Sequence, residues 1–247
     1  LIVRKEKGRL RNYFHIGTGN YNSITSCFYT DIGFLSTDTE IASDLIELFN
    51  YLSGFSKQKN YKKLLVSPFS MRKKFIYLIK REILNSKNGK RGEIIAKMNS
   101  LVDPEIIDLL YEASKVGVKI KLIIRGICCL YPQKNNLSEN IYVKSIIGHF
   151  LEHSRIFWFY NDNNPEAFIG SADWMRRNLD RRIEAIAPIE DIKLKKQLHS
   201  LLNIYLDDSY FSWEMDHEGN YSKKENTKNS YKSQFALIQS WHELNNV

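Results

Sequence analysis

Over residues 64–206, short apolar segments alternate with longer amphipathic segments that are rich in Lys and Arg. The periodicity predicts strands at 64–66, 94–98, 119–125, 155–160, 167–170 and 182–187, and helices at 71–84, 103–116 and 192–206. The second helix has a clear start, because Asp103 stands at the cap position and Pro104 at the first helical position. Residues 207–230 are polar and predicted to be irregular, before a last helix at 231–244. Strands that alternate with helices form a sheet covered on both faces, so the pattern predicts the α/β class.

The first 62 residues show a different pattern. A hairpin is predicted from residues 1–4 and 10–16, followed by a strand at 27–35. The segment Thr37-Asp38-Thr39-Glu40 fits a capping box, and the next helix has an apolar face of Ile41, Leu45, Leu48 and Phe49. The Lys-rich stretch 53–63 is the best domain boundary, which divides the chain into residues 1–62 and 63–247. Because residues 1–3 resemble the middle of a strand, we expect further chain to precede them.

Composition excludes several classes of protein. The chain has three cysteines and no CxxC spacing, which argues against a disulfide framework and a zinc site and favours a reduced cytosolic protein. We expect Cys128 and Cys129 to be small core residues. No apolar run approaches the roughly 18 residues that span a bilayer. The net charge of +8 predicts an anionic partner, which could be phosphate, nucleotide, nucleic acid or a membrane surface.

A glycine-rich segment, Gly17-Thr18-Gly19-Asn20, follows the predicted hairpin. Glycines at alternate positions let backbone N–H groups converge on an anion, and the Thr and Asn side chains add polar contacts. Gly17 and Asn20 are therefore candidate phosphate-binding residues. An ordinary glycine turn explains the spacing equally well, and the chain contains no P-loop.

A second candidate site combines a histidine with an arginine. His153 and Arg155 are two residues apart at the start of a predicted strand, so both side chains would point to one face of the sheet. Arg can hold phosphate oxygens, and His can donate or accept a proton near neutral pH. The loop Gly170-Ser171-Ala172-Asp173 follows the next strand, which adds Ser171 as a candidate. The alternative is a surface histidine in a salt-bridged edge strand.

A third candidate is Arg125, which stands before Gly126 at the carboxyl end of a predicted strand. Ligands of α/β folds bind at this end of the strands. The two glycine loops, each after a hairpin, also suggest an internal repeat. The phospholipase D superfamily has this twofold design, with a His-x-Lys pair and a Gly-Ser/Thr-x-Asn loop in each half.

Six segments in consistent order resemble the bacterial polyphosphate kinases. They are HIGTGNYN, FYTDIGFLST, KMNSLVD, LIIRGICCL, LSENIYVKSIIGHFLEHSRI and IGSADWMRRNLDRRIEA, within residues 1 to 206. The resemblance implies a phospholipase D-like mixed sheet flanked by helices, with the last part of one such domain followed by one complete domain. It also implies reversible transfer of the γ-phosphoryl group of ATP to inorganic polyphosphate through a phosphohistidine.

The resemblance assigns roles to three positions of this chain. Tyr29, Arg125 and His153 match residues that contact nucleotide or phosphate, and His153 is the candidate catalytic residue. The phosphohistidine motif, Thr-His-x-Lys, would stand immediately before Leu1, and the groups that hold Mg²⁺ would lie further upstream. We therefore expect no metal ligand in this chain and no phosphoryl transfer by the chain alone.

The resemblance also implies ATP or ADP and polyphosphate as partners, no nucleic acid, and a homo-oligomeric intact enzyme. We expect a cytoplasmic location, with peripheral attachment at the inner membrane face left open. Two alternatives remain at this point. A phospholipase D-type phosphodiesterase would use two His-x-Lys pairs, whereas this chain has one His-x-Arg. A basic nucleic-acid-binding module would carry a recognition motif, and no RNP, zinc-finger or helix-turn-helix signature occurs.

Overall fold

The computed structural model of the chain describes residues 1–57, 59–223 and 225–245. In the first part these form β1 (Ile2–Glu6), β2 (Arg9–Gly17), a 3₁₀ turn (Thr25–Cys27), β3 (Tyr29–Thr30), β4 (Gly33–Ser36) and α1 (Thr39–Leu52). The second part begins with β5 (Leu65–Ser67), α2 (Met71–Lys87), β6 (Glu93–Met98), α3 (Pro104–Lys115), β7 (Lys119–Ile124), β8 (Ile141–Ile146) and β9 (Leu151–Glu152). It continues with β10 (Ile156–Phe159), β11 (Glu166–Gly170), α4 (Arg176–Asp180), β12 (Glu184–Ile189), α5 (Ile192–Asp207), β13 (Ser212–Met215), β14 (Tyr221–Ser222) and α6 (Ser233–Asn245).

The first part is built on a small antiparallel sheet. Strands β1, β2 and β4 form it, and the hairpin turns at Lys7-Gly8, where both residues have positive φ, as the predicted hairpin requires. Helix α1 begins after Asp38, whose carboxylate accepts the N–H groups of Glu40 and Ile41 and is the cap within the predicted box. The predicted apolar face of α1 is correct except at Phe49, which is 49% exposed.

The second part is built on one large mixed sheet. Among the described residues its strand order is β14-β13-β8-β7-β6-β10-β11-β12-β5. The centre, β6-β7-β8, is parallel and the remaining pairings are antiparallel. Adjacent residues of β6 face opposite cores, since Ile94 packs with α2 and α3 whereas Ile95 packs with α5. The predicted α/β class, with a mixed sheet covered by helices on both faces, is confirmed.

Helices α2 and α3 pack on one face of the large sheet, and α5 packs on the other. Within the described part of the chain, we find no helix with the length and apolar character needed to cross a membrane.

The connection between the two parts is anchored to α1. The buried carboxylate of Asp44 accepts the backbone N–H groups of Lys62, Lys63 and Leu64 at 2.9, 2.7 and 2.9 Å. Residues from both parts also share a hydrophobic cluster, in which Leu45 and Leu48 of α1 pack with Leu64, Val66 and Ala187. The predicted division at residues 62 and 63 thus falls in a tightly held connection, and it stays a prediction.

Two predicted segments are wrong. The strand expected at 27–35 is divided, because β3 pairs with β9 whereas β4 pairs with β2. The stretch 207–230 is not irregular throughout, since β13 and β14 extend the large sheet beyond β8. The partners of β3 and β13 lie far away in the sequence, so the local pattern carried no signal for these two pairings.

Candidate active site

His153 lies where the two parts of the chain meet. It follows β9 and precedes β10, so it is not within a strand as predicted. Strand β9 runs parallel to β3, with Tyr29 opposite Leu151 and Thr30 opposite Glu152. This pairing places the Tyr29 ring against the His153 ring, with 4.9 Å between the ring centres. Two residues that are distant in sequence thereby form one wall of the site.

Asp31 orients the imidazole of His153. Both Asp31 carboxylate oxygens lie 3.0 Å from His153 Nδ1, and the Thr18 hydroxyl donates to Asp31 Oδ1 at 2.6 Å. Because a carboxylate only accepts, the Nδ1 proton points toward Asp31, and in a neutral ring Nε2 is the acceptor. Burial acts to raise the pKa of Asp31, but hydrogen bonds from His153 and Thr18 outweigh it and lower that pKa.

Gly19 allows Asp31 to occupy this place. A Cβ atom at Gly19 would lie 1.9 Å from Asp31 Oδ2, so no larger residue fits beside the carboxylate. The glycine-rich segment therefore serves the site in a way that spacing alone did not predict.

Arg155 joins the two glycine loops. Its Nη1 donates to the backbone oxygen of Thr18 at 2.9 Å and lies 3.0 Å from His153 Nε2. Its Nε and Nη2 donate to the Asp173 carboxylate at 3.2 and 3.4 Å. One guanidinium thus connects the loop after β2, the loop after β11 and the histidine between them.

Arg125 lies directly after β7, close enough to Arg155 for mutual repulsion. Its Nε donates to the side-chain oxygen of Asn99, whose N–H groups donate to Asp173 Oδ1 at 2.8 and 3.2 Å. Burial lowers the pKa of Arg125, and the charge of Arg155 lowers it further, although a guanidinium stays protonated in proteins. Arg125 and Arg155 thus bring two positive charges close together, and Arg155 is in contact with His153.

Comparison with known families agrees with this arrangement. Residues 64–234 match the family described as polyphosphate kinase C-terminal domain 2, and residues 1–58 match polyphosphate kinase C-terminal domain 1. The chain belongs to the polyphosphate kinase family. The resemblance inferred from six sequence segments is thereby confirmed.

Individual polyphosphate kinases match nearly the whole chain. Those of Prochlorococcus marinus (strain MIT 9313) and Parasynechococcus marenigrum (strain WH8102) are 59% and 56% identical, each over 98% of this chain and 34% of the relative. The chain thus spans about a third of the length of these curated relatives. The crystal structure of polyphosphate kinase from Porphyromonas gingivalis superposes with a TM-score of 0.92 at 38% identity, covering 98% of this chain and 38% of that one.

The structure brings together four of the predicted polyphosphate kinase site residues. Tyr29, His153 and Arg155 are in contact with one another or with shared partners, and Arg125 joins them through Asn99. The Ser171 hydroxyl instead donates to the Glu184 carboxylate. In the first loop the residue that reaches Arg155 is Thr18, whereas Gly17 lies beside His15 and Asn20 is exposed.

Four polar partners of the site are not among the predicted candidate residues, although the Thr18 side chain was expected to make polar contacts. They are Thr18, Asp31, Asn99 and Asp173. All four lie within the segments that carried the family resemblance, and Asp173 stands in the same loop as Ser171. Residue type therefore offered a signal, but the contacts depend on chain segments that only the fold brings together.

The cysteines take no part in these contacts of the site. Cys128 is half-buried against the main core, and burial raises the pKa of its thiol to about 11, which makes it a poor nucleophile. Cys129 is exposed, so the prediction that both are core residues is wrong for Cys129.

A magnesium site does not emerge from the residues that the structure describes. Among them, no group of three or more His, Cys, Asp or Glu side chains is arranged to hold a metal ion. The carboxylates at the site, Asp31 and Asp173, are engaged with His153, Thr18, Asn99 and Arg155. The donor set therefore does not fit Mg²⁺.

Proposed function

We propose that this chain forms the C-terminal part of an ATP–polyphosphate phosphotransferase. The reaction would be reversible transfer of the γ-phosphoryl group of ATP to inorganic polyphosphate, through a phosphohistidine that we expect upstream of Leu1. The observation that supports it is the cluster of His153, Arg155 and Arg125 at the junction of the two matched families.

The residues of this chain would act mainly by positioning and by charge. Phosphoryl transfer spreads negative charge over three oxygens, and proteins accelerate it by holding reactants in line and stabilising that charge. Arg125 and Arg155 would bind those oxygens. His153, oriented by Asp31, would stabilise the transferring group or protonate the leaving oxygen. Tyr29 would contact phosphate through its hydroxyl or the nucleotide through its ring.

Magnesium belongs to this proposal only as a group held by other residues. Mg²⁺ would supply neutralisation of phosphate charge, and the roles proposed for Arg125, Arg155 and His153 do not depend on it. A homo-oligomeric intact enzyme, a cytoplasmic location and the absence of a nucleic-acid partner likewise stay predictions.

A hybrid kinase tests the proposal. The matching C-terminal third of the Prochlorococcus marinus enzyme, 59% identical, would be replaced by this chain, and ATP formation from polyphosphate and ADP would be measured with Mg²⁺. We expect the hybrid to be active and His153→Ala to reduce kcat by about 10²- to 10⁴-fold. The matched control is His217→Ala, at an exposed loop histidine.

Three outcomes would redirect the assignment. Normal turnover by His153→Ala would remove this residue from the reaction. Robust hydrolysis of a chromogenic phosphodiester by the chain would instead favour the phosphodiesterase alternative, and tighter binding of DNA than of polyphosphate at matched salt would favour the nucleic-acid-binding alternative.

A further inference from the structure

The strand pair that carries the site is unusually small. Strands β3 and β9 have two residues each, and the backbone hydrogen bonds beside them join Leu151 N–H to Phe28 O at 2.8 Å and His153 N–H to Thr30 O at 3.2 Å. An isolated pair of strands is at best marginally stable in water. The contact between the Tyr29 and His153 rings therefore needs support from other elements.

Glu152, the residue before His153, supplies part of that support. Its Oε2 accepts the Thr30 hydroxyl at 2.8 Å and lies 3.1 Å from Lys97 Nζ, and its Oε1 accepts from the Gln234 amide at 2.7 Å. Both members of the Lys97–Glu152 ion pair are almost fully buried, at 1% and 3% exposure. Buried charges persist only when paired and hydrogen-bonded, so this carboxylate fixes β3, β6 and α6 to one another.

Gln234, in the first turn of α6, adds a second connection. Its Oε1 accepts the Phe150 N–H at 3.1 Å, and its Nε2 donates to the Phe150 oxygen at 2.9 Å. A neighbouring strand would make the same two kinds of hydrogen bond with the backbone of Phe150, the residue before β9. The fit is close, because a Cβ atom at Gly148 would lie 2.4 Å from Gln234 Oε1.

We propose that α6, acting through Gln234, positions Tyr29 and His153 for phosphate binding. Gln234 holds Phe150 and Glu152 on either side of Leu151, and so fixes β9 against β3. Gln234 and Glu152 are positioning residues that act through His153. The inference gives the segment after residue 207 a role in the site, and it rests on the proposed function only for what the site binds.

The test uses the full chain and the variant Gln234→Met, which keeps the length of the side chain and removes its hydrogen-bonding amide. The readouts are the His153 ring signals in NMR, assigned by their loss in His153→Ala, and the Kd for tripolyphosphate. We expect the His153 signals to shift as the Tyr29 ring moves, and the affinity to fall by at least roughly fivefold. The control is Gln239→Met, at an exposed position on the same helix, which should match the parent.

Gly148→Ala provides an independent perturbation from the opposite side. The added methyl group would displace the flexible end of Gln234 rather than backbone, so the fold should persist while the His153 signals shift in the same way. Parent-like His153 signals in either folded variant would overturn the proposal. If the parent binds no tripolyphosphate but its His153 signals respond to both substitutions, the positioning role stands and the proposed function fails.

Discussion

At the scale of single residues, Arg155 is where the contacts of the site converge. It is only 9% exposed, and one planar group contacts Thr18 and His153 through Nη1 and Asp173 through Nε and Nη2. Lysine would keep the charge but cannot reproduce this fork. The identity of the residue, and not its charge alone, therefore determines whether the two loops stay together.

Arg155→Lys should consequently behave as a disruptive change. Hydrogen bonds to charged groups contribute about 1.5–3 kcal/mol each, so we expect tripolyphosphate affinity to fall at least about tenfold. Isothermal titration calorimetry on the full chain measures it, with Arg9→Lys on an exposed strand position as the control. Equal affinities for the two variants would show that charge alone matters at residue 155.

His199 makes stability depend on pH. Its ring stacks on Trp158 with 4.6 Å between centres, and burial lowers its pKa from 6.5, with Lys121 and Arg91 adding to the effect and Glu93 opposing it. As pH falls below about 6.5, the unfolded chain takes up a proton at this residue that the folded chain does not. The contribution of neutral His199 to stability is therefore present above that pH and is lost below it.

His199→Phe preserves the stacked ring and removes the proton. We expect the urea midpoint to change less between about pH 7.5 and about pH 5.5 in this variant than in the parent. His217→Phe, at an exposed loop position, should retain the pH dependence of the parent. An unchanged acid response in His199→Phe would assign the effect to other groups.

The candidate site shows how much can be predicted from residue types and local sequence pattern. Strand ends, glycine loops and phosphate chemistry make His153, Arg155 and Arg125 candidates, and the family resemblance assigns roles to His153 and Arg125. Asp31 was not a candidate, because its partner His153 lies 122 residues away and a loop carboxylate has many ordinary uses. Ser171 had the right chemistry, but the fold turns its hydroxyl to Glu184.

At the scale of elements, local rules work where the determinants are local. Helix α3 begins as predicted, because the Asp103 side chain accepts the Ile106 N–H and Pro104 occupies the first turn. The division between β3 and β4 and the presence of β13 escaped prediction, because β9 and β8 pair with β3 and β13 from distant parts of the chain. Short strands of this kind are specified by their partners more than by their own sequence.

Asp44 offers a test of how elements are joined. Its carboxylate accepts hydrogen bonds from the backbone N–H groups of residues 62–64, and these three bonds account for the position of that segment against α1. In Asp44→Asn one carboxylate oxygen becomes an amide N–H₂ that faces at least one of these donors, so we expect the free energy of unfolding to fall by about 1.5–3 kcal/mol or more. Urea unfolding measures it, with the exposed Asp108→Asn as control; equal stabilities would contradict this role.

At the scale of the whole molecule, the two segments that match polyphosphate kinase domains, residues 1–58 and 64–234, contribute to one candidate site and share a hydrophobic cluster. Ion pairs at Lys63 also join the two parts, since its ammonium group contacts Asp38, Glu40 and Glu190 at 3.2, 3.0 and 2.7 Å. Sequence composition placed a boundary near this lysine because polar linkers usually separate domains. The boundary is polar here because its charges pair across the junction, which composition alone does not reveal.

The shared core leads to a prediction about cooperativity. Leu45 belongs to the first part and is 7% exposed, whereas all four tryptophans lie after residue 63. If the parts unfold together, Leu45→Ala should destabilise the transition seen by tryptophan fluorescence by about 2–5 kcal/mol, the usual cost of such a cavity. Leu10→Ala, at a position 74% exposed, should leave that transition unchanged.

The opposite result is that Leu45→Ala leaves the tryptophan transition unchanged while circular dichroism shows a separate, earlier loss of structure. The second part would then fold without the first. The site would then be assembled by docking of two independently stable parts, and mutations in the shared cluster would weaken phosphate binding without lowering the stability of the large sheet.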